Sequence, residues 1–203
     1  MNNNTFDFSA DIDQLMSLIV NAFYSKKDVF LRELLSNSSD ALEKYRFHTL
    51  QNTCNDDEEL KIKISYSLDN KTITIQDNGI GMTKEDLINN LGTVAKSGTK
   101  AFIDSLKEKK DVNQIGQFGV GFYSAFLVAD RVDVITKNNS DKHYIWSSDA
   151  KSSYTINECN DEINRGTKII LHLKEEDHDF LSDDVISNLV KSYSQYIQTY
   201  INK

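Results

Sequence analysis

The chain has 203 residues, of which 39% are hydrophobic and 27% charged, which is enough apolar material for a folded core and too much for a disordered chain. Its net charge of −8 argues against nucleic acid as the main partner, because binding to phosphates requires a basic surface. We find no apolar run long enough for a membrane span, no secretory signal and only two cysteines, and therefore expect a cytoplasmic protein without a membrane partner.

The first third of the sequence is predicted to be mainly helical. Apolar residues at helical spacing predict a first helix over 12–23 and a second over about 28–50. After an acidic loop the apolar period changes to two, which predicts a β-hairpin over 62–75 with its turn at Asp69 and Asn70.

Short helices and strands are predicted for the rest of the chain. A helix over 83–91 begins with a capping box of Thr83 and Asp86, and another is expected over 122–129. Alternating apolar residues predict further strands, and an amphipathic pattern predicts a closing helix: the strands lie around 132–136, 144–147, 153–157 and 167–173, and the helix starts near 182. These elements predict one α+β domain over residues 1–203, a two-layer α/β sandwich with helices on one face of a mostly antiparallel sheet.

One face of the second helix carries polar residues at intervals of about one turn. Glu33, Asn37, Asp40 and Lys44 are spaced 4, 3 and 4 apart, which places them within about 60° of arc. A solvated helix face gives the same pattern. The pairing of a carboxylate with a carboxamide also suits chemistry, because Glu33 could orient a water as a general base and Asn37 could ligate Mg²⁺.

A glycine-containing turn follows the second strand of the hairpin. Asp77 ends that strand, and Gly79 and Gly81 allow a sharp turn and let a flat ring lie against the backbone. Asp77 could accept a hydrogen bond from an exocyclic amino group, which would distinguish adenine from guanine. An ordinary Asx turn between a strand and a helix is the alternative.

A second glycine-rich segment precedes the helix predicted over 122–129. Its G-x-x-G-x-G spacing over 116–121 leaves backbone N–H groups free to bind an anion at the start of that helix. The spacing matches neither the dinucleotide-binding fingerprint nor the P-loop, and a flexible loop is the alternative. Upstream, Lys96 lies between Gly92 and Gly98, where it is either a phosphate ligand or a surface lysine.

Four motifs, in this order, resemble those of one protein family. They are F-L-R-E-L-L-S-N-S-S-D-A from Phe30, D-N-G-I-G-M-T from Asp77, L-G-T-V-A-K-S-G-T from Leu91 and I-G-Q-F-G-V-G-F-Y-S-A-F-L-V-A-D from Ile115. Through them the chain resembles the N-terminal nucleotide-binding domain of heat-shock protein 90 chaperones, in the GHKL superfamily with DNA gyrase B, MutL and sensor histidine kinases. The resemblance implies a Bergerat-type fold, ATP or ADP and Mg²⁺ as ligands, and slow ATP hydrolysis.

The resemblance also implies roles for individual residues. Glu33 resembles the general base for the attacking water, Asn37 the Mg²⁺ ligand and Asp77 the adenine acceptor. The other implied nucleotide contacts form pocket walls or lie near the phosphates or adenine: Asp40, Ala41, Lys44, Gly81, Met82, Asn90, Leu91, Lys96, Gly119, Val120, Gly121, Phe122 and Thr167. Residues of about 92–121 resemble a lid that closes over ATP, and 5–9 resemble a strand exchanged between protomers.

The family's longer architecture implies further partners. Client proteins and co-chaperones would act through the full-length protein, which would be a homodimer, whereas this fragment would be mostly monomeric. The resemblance implies that the arginine that stabilises the γ-phosphate comes from a middle domain. Within this chain, Arg32 is expected to point about 100° away from Glu33. A nucleotide sensor without hydrolysis and the ATPase domain of a gyrase- or MutL-type protein are the alternatives.

The sequence departs from the family pattern in two places that bear on the structure. Tyr45 stands where a branched aliphatic residue is usual. After Tyr196 the family generally continues through a proline into a strand, whereas this chain reads Q-T-Y-I-N-K from Gln198.

Overall fold

A computed structural model describes residues 4–8, 12–23, 26–52, 58–92, 119–149, 151, 153–193 and 199–202. The α-helices are α1 (Ile12–Phe23), α2 (Val29–Asn52), α3 (Lys84–Leu87) and α4 (Asp183–Tyr193). A π-helical turn (Ile88–Gly92) continues α3, and 3₁₀ helices span Gly121–Leu127 and Glu175–Phe180. Within these ranges no helix is both long and apolar enough to span a bilayer.

The strands of the described ranges form one eight-stranded sheet in the order β1-β6-β5-β4-β7-β3-β2-β8. Neighbouring strands are antiparallel except β2 and β8, which are parallel. Their bounds are β1 Asn4–Asp7, β2 Ile62–Ser67, β3 Thr72–Asp77, β4 Ala129–Lys137, β5 His143–Ser148, β6 Ser153–Glu158, β7 Gly166–Leu173 and β8 Thr199–Asn202. The predicted α+β sandwich with a mostly antiparallel sheet is thereby confirmed.

The hydrophobic core lies between the helices and one face of the sheet. Alternate residues of a strand point to opposite faces, so burial alternates along most of β2 and β3, with Thr72 at the start of β3 as an exception. Side chains from both layers fill the core and are at most 1% exposed: Ile62, Ile64, Ile73, Ile75 and Trp146 from the sheet, and Phe30, Leu31, Leu34 and Leu35 from α2. This packing fixes α2 against the strands that carry the predicted site.

Three local predictions from the sequence are confirmed by the structure. The capping box is formed as predicted, with the Asp86 backbone N–H donating to Thr83 Oγ1 at 3.1 Å and the Thr83 backbone N–H donating to Asp86 Oδ2 at 2.9 Å. The hairpin over 62–75 and the closing helix are also present.

The helix predicted over 122–129 differs in type and length. The segment Gly121–Leu127 is a 3₁₀ helix, and strand β4 already begins at Ala129. All seven residues of this 3₁₀ helix are buried, so the sequence has no polar face from which its period could be read. The Lys174 ammonium group donates to the carbonyl oxygens of Phe126 and Leu127 at 2.9 and 3.1 Å, which satisfies the end of the helix.

Candidate functional site

The polar stripe on α2 begins inside the protein and ends in solvent. Glu33 is only 6% exposed, whereas Asn37, Asp40 and Lys44 are exposed. A uniformly solvated helix face does not explain a buried carboxylate, because burying an ionised group is costly unless a partner stabilises it. Glu33 therefore differs from the residues that follow it on the stripe.

Arg32 is a partner of Glu33, so the prediction that the Arg32 side chain points away from Glu33 is wrong. The Arg32 guanidinium donates from Nε and Nη2 to Glu33 Oε1 at 3.2 and 3.1 Å. The Cα–Cβ bonds of consecutive helical residues do diverge by about 100°, but the long arginine side chain turns back across that angle. The buried Glu33 carboxyl group therefore has a cationic hydrogen-bond donor beside it.

Asp77 lies at the end of β3 and is 4% exposed. Burial raises the pKa of its carboxyl to about 7, although the backbone N–H groups of Gly79 and Thr167, the Ser38 hydroxyl and the charge of Arg165 act in the opposite direction. The Gly79 N–H donates to Asp77 Oδ1 at 2.9 Å. The predicted Asx turn is thus present, and the same carboxyl group is also held by α2 and β7.

The pKa of Asp77 makes the stability of the domain depend on pH in a defined direction. Between about pH 4 and pH 7 the folded protein keeps a proton that the unfolded chain has released, so the free energy of unfolding falls as the pH rises through this range. We expect urea titrations to show the wild type losing stability relative to Asp77→Asn from pH 4 to pH 7, and a constant difference above that. A difference that does not vary with pH would contradict the raised pKa.

The turn after Asp77 touches α2 on one side and β4 on the other. The Ile80 N–H donates to the Ala41 carbonyl oxygen at 3.1 Å, and a Cβ at Gly79 would lie 2.6 Å from the Ala41 carbonyl carbon. Gly81 has φ +67°, and a Cβ there would collide with the backbone carbonyl of Lys137. The two glycines that were predicted to permit a sharp turn are therefore required by close backbone approaches.

Threonine hydroxyls join this turn to the centre of the sheet. Thr136 Oγ1 accepts a hydrogen bond from the Met82 N–H at 2.9 Å and lies 3.0 Å from the Gly166 carbonyl oxygen and 3.2 Å from Thr167 Oγ1. Thr136 and Thr167 face each other in the register of β4 and β7. The sequence interpretation included Met82 and Thr167 but missed Thr136, because nothing distinguishes its hydroxyl from that of any other threonine in a strand.

The remaining predicted wall residues lie on two helical segments that contact each other. Asn90 and Leu91 belong to the π-helical turn, where Asn90 is exposed and Leu91 is 6% exposed. The Tyr123 hydroxyl donates to the Leu91 carbonyl oxygen at 2.7 Å, which links this turn to the 3₁₀ helix that packs on α2. Phe122, from that helix, is 8% exposed and stacks edge-on against Trp146.

The described part of the glycine-rich segment leads into the start of the same 3₁₀ helix. Gly119 is exposed with φ +70°, Val120 is fully buried, and Gly121 begins the helix. Lys96 and nearly all of the predicted lid over about 92–121 lie outside the described residues. The structure thus brings α2, the end of β3, the β4–β7 register, the π-helical turn and the 3₁₀ helix together.

The donor set on α2 fits a hard cation that also contacts phosphates. Among the described residues no group of three or more His, Cys, Asp or Glu side chains could hold a metal ion. Asn37 offers one exposed amide oxygen, one turn from Glu33. Mg²⁺ commonly takes few protein ligands and completes its shell with water and phosphate oxygens, so a single carboxamide fits it.

Comparison with known proteins identifies the class to which this fold and site belong. Residues 24–191 match the family of histidine kinase-, DNA gyrase B- and HSP90-like ATPases. The match covers most of the chain, and the chain therefore belongs to this family of ATPases.

Individual relatives within this family show which of its members the chain is similar to. The chain is 50% identical over 198 residues to the endoplasmin homolog of Hordeum vulgare, covering 95% of this chain and 24% of that protein. It is 51% identical over 203 residues to the mitochondrial heat shock protein 90-6 of Arabidopsis thaliana, covering 95% and 25%, and 48% identical over 208 residues to the chaperone protein HtpG of Francisella tularensis, covering 99% and 33%. The chain thus resembles heat-shock protein 90 chaperones over nearly all its length and spans about a quarter to a third of theirs.

Proposed function

We propose that this domain binds ATP with the adenine amino group on Asp77 and hydrolyses it slowly with Glu33 as the general base. The observation that carries the proposal is the buried Asp77 carboxyl, which lies at the end of a strand and is held by groups from α2, the following turn and β7. A carboxylate oxygen accepts a hydrogen bond from the adenine amino group, whereas guanine presents a carbonyl oxygen at the same edge. Gly81 and Met82 would bound the ring, and Thr167 would contact it through water.

The hydrolytic step needs a base near the γ-phosphate. Water attacks the γ-phosphorus, the bond to the ADP oxygen breaks, and the water proton passes to a carboxylate oxygen of Glu33, which gives ADP and phosphate. The position of Glu33 supports this role, since it is buried on α2 one helical turn before Asn37 and accepts hydrogen bonds from Arg32. Bound Mg²⁺ would neutralise charge on the phosphates, with Asn37 as its protein ligand and Asp40, Ala41 and Lys44 lining the same side of the pocket.

Backbone N–H groups at the start of the 3₁₀ helix suit the phosphates. Gly119, Val120, Gly121 and Phe122 lead into this helix, and the positive φ of Gly119 turns the chain there without steric cost. Asn90 and Leu91 would complete the pocket wall opposite, and Lys96 would add a cation. The lid role of residues 92–121 is part of the same proposal.

The longer protein is proposed to act as a chaperone. Its relatives are named as endoplasmin, heat shock protein 90 and HtpG, and the sequence alone favours a cytoplasmic location for this member. Client proteins and co-chaperones would bind the full-length homodimer, in which ATP closes the lid and β1 is exchanged. These relatives do not favour a gyrase- or MutL-type protein, and a pure nucleotide sensor would differ only by lacking turnover.

Comparison of the fragment with a full-length protein tests the enzymatic part. We expect the 203-residue chain to bind ATP mostly as a monomer and to turn it over very slowly, because the family resemblance assigns the arginine at the γ-phosphate to a middle domain and Arg32 is paired with Glu33. Supplying a cation at the γ-phosphate is worth about 10³–10⁵ in rate. Steady-state hydrolysis is measured at matched site concentrations. Equal rates in both, each lost in Glu33→Ala, would show that this domain is catalytically complete.

A further inference from the structure

Arg165 is a buried arginine that none of the roles above uses. Its residue is 7% exposed, and it lies just before β7, in the turn that leads to Thr167. A buried guanidinium is costly unless its donors are satisfied, so its partners show what it holds in place.

Two of these partners are backbone carbonyl groups of the turn that follows Asp77. Arg165 Nη1 donates to the carbonyl oxygen of Gly79 at 3.0 Å and to that of Asn78, while Nη2 donates to Glu58 Oε2 at 3.2 Å. Glu58 is half exposed, whereas Asn78 is 8% exposed and Gly79 is buried. Arg165 therefore satisfies two carbonyl groups that water reaches poorly.

The flat face of the Arg165 guanidinium stacks on a tyrosine ring of α2. The central carbon of the Arg165 guanidinium lies 3.4 Å from the centroid of the Tyr45 ring, and Tyr45 is 7% exposed. A cation stacked on a buried ring is more strongly attracted than one in solvent. Tyr45 thus links Arg165, and through it the turn, to α2.

The turn is consequently held from both sides. On its α2 side the Ile80 N–H donates to Ala41, and Gly79 leaves no room for a Cβ against Ala41. On its other side Arg165 holds the Asn78 and Gly79 carbonyl groups. Asp77 immediately precedes this held segment and Gly81 follows it, so a shift of the turn would displace both groups that face adenine.

We propose that Arg165, stacked on Tyr45, is a positioning residue for nucleotide binding: it fixes the Asn78–Gly79 backbone and thereby the placement of Asp77 and Gly81. The inference rests on the proposed binding of adenine to Asp77 and adds two residues that act through it. Arg165 also acts on Asp77 through its charge, which lowers the pKa of the Asp77 carboxyl. The Gly79 and Thr167 N–H groups and the Ser38 hydroxyl lower the same pKa through hydrogen bonds.

The test measures ATP affinity by calorimetry in the 203-residue chain, at a temperature where every variant is folded. We expect Arg165→Met to weaken binding by about tenfold to a hundredfold, as the loss of charged hydrogen bonds implies, and Arg165→Lys to weaken it less. Tyr45→Phe keeps the ring and should retain affinity, whereas Tyr45→Leu should lose several-fold. Arg131→Met is the matched control, because Arg131 pairs with Asp133 at the opposite end of β4 from Thr136.

The pH profile separates positioning from general stability. Removal of the Arg165 charge raises the pKa of Asp77 further, so the pH below which ATP affinity declines should move upward in Arg165→Met and stay in place in Arg165→Lys and Arg131→Met. Native affinity in Arg165→Met and Tyr45→Leu, or an equal loss in Arg131→Met, would overturn the inference. If the wild type binds ATP and Asp77→Asn does not, such a result overturns the positioning role alone; a wild type that does not bind ATP overturns both.

Discussion

Asp77→Asn is expected to abolish binding of ATP and ADP. The substitution replaces an acceptor by a carboxamide that can present a donor to the adenine amino group, and losing a hydrogen bond to a charged acceptor costs about 1.5–3 kcal/mol before that mismatch is added. A carboxamide is nearly isosteric with the carboxyl group and is easier to bury, so the variant should fold. Titration calorimetry with ATP and ADP measures the effect directly.

A matched control for this substitution exists in the same sheet. Asp133 on β4 is 6% exposed and pairs with Arg131 and His172, away from the turn that follows Asp77. Asp133→Asn should leave ATP affinity near the wild-type value, and GTP should bind weakly to the wild type itself. Near-native ATP affinity in Asp77→Asn would exclude the adenine assignment, and a crystal soaked with ADP would then show where the base lies.

Glu33→Ala should separate binding from chemistry. The proposed adenine contacts do not include Glu33, so ATP affinity should remain near the wild-type value, while loss of a positioned general base is expected to lower the rate by about 10²–10⁴. Hydrolysis is measured in a full-length protein, where turnover is high enough for the loss to be quantified. Glu43→Ala on the exposed part of α2 is the control and should change neither quantity.

The ion pair with Arg32 gives this experiment a second readout. Removing Glu33 leaves the Arg32 guanidinium, 31% exposed in its side chain, without one of its acceptors. Glu33→Gln keeps an oxygen near Arg32 and should therefore be the more stable variant, with the same loss of hydrolysis. If both variants fail to bind ATP although they are folded, Glu33 supports the structure of the pocket and is not the base.

Much of the candidate site could be proposed from the sequence because its residues occur in contiguous motifs. Glu33 and Asn37 are one helical turn apart, and Asp77, Gly79 and Gly81 occupy alternate positions of one turn, so local geometry alone places each group. Arg165 and Thr136 were missed because they reach the site from other parts of the chain. Arg165 acts on a turn 86 residues earlier, and only the register of β4, β7 and β3 brings it there.

The differences in secondary structure have a similar cause. The 3₁₀ helix Gly121–Leu127 is buried on all sides, and β8 forms by pairing with β2 from the far end of the sequence. Neither property is encoded within a window of ten residues. The direction error for Arg32 is of another kind, because helical geometry fixes where a Cβ points and leaves a long side chain free to turn back.

The pairing of β1 with β6 imposes an order on the assembly of the sheet during synthesis. Asn4 lies opposite Ile156, so about 150 residues must be made before the first strand can find its neighbour. At about 5–20 residues per second, this takes on the order of ten seconds or more. Until then Phe6 lacks the Tyr154 ring on which it stacks, and the backbone groups of the strand have no partner. The strand therefore leaves these backbone groups and the Phe6 ring exposed on the ribosome until β6 has been made.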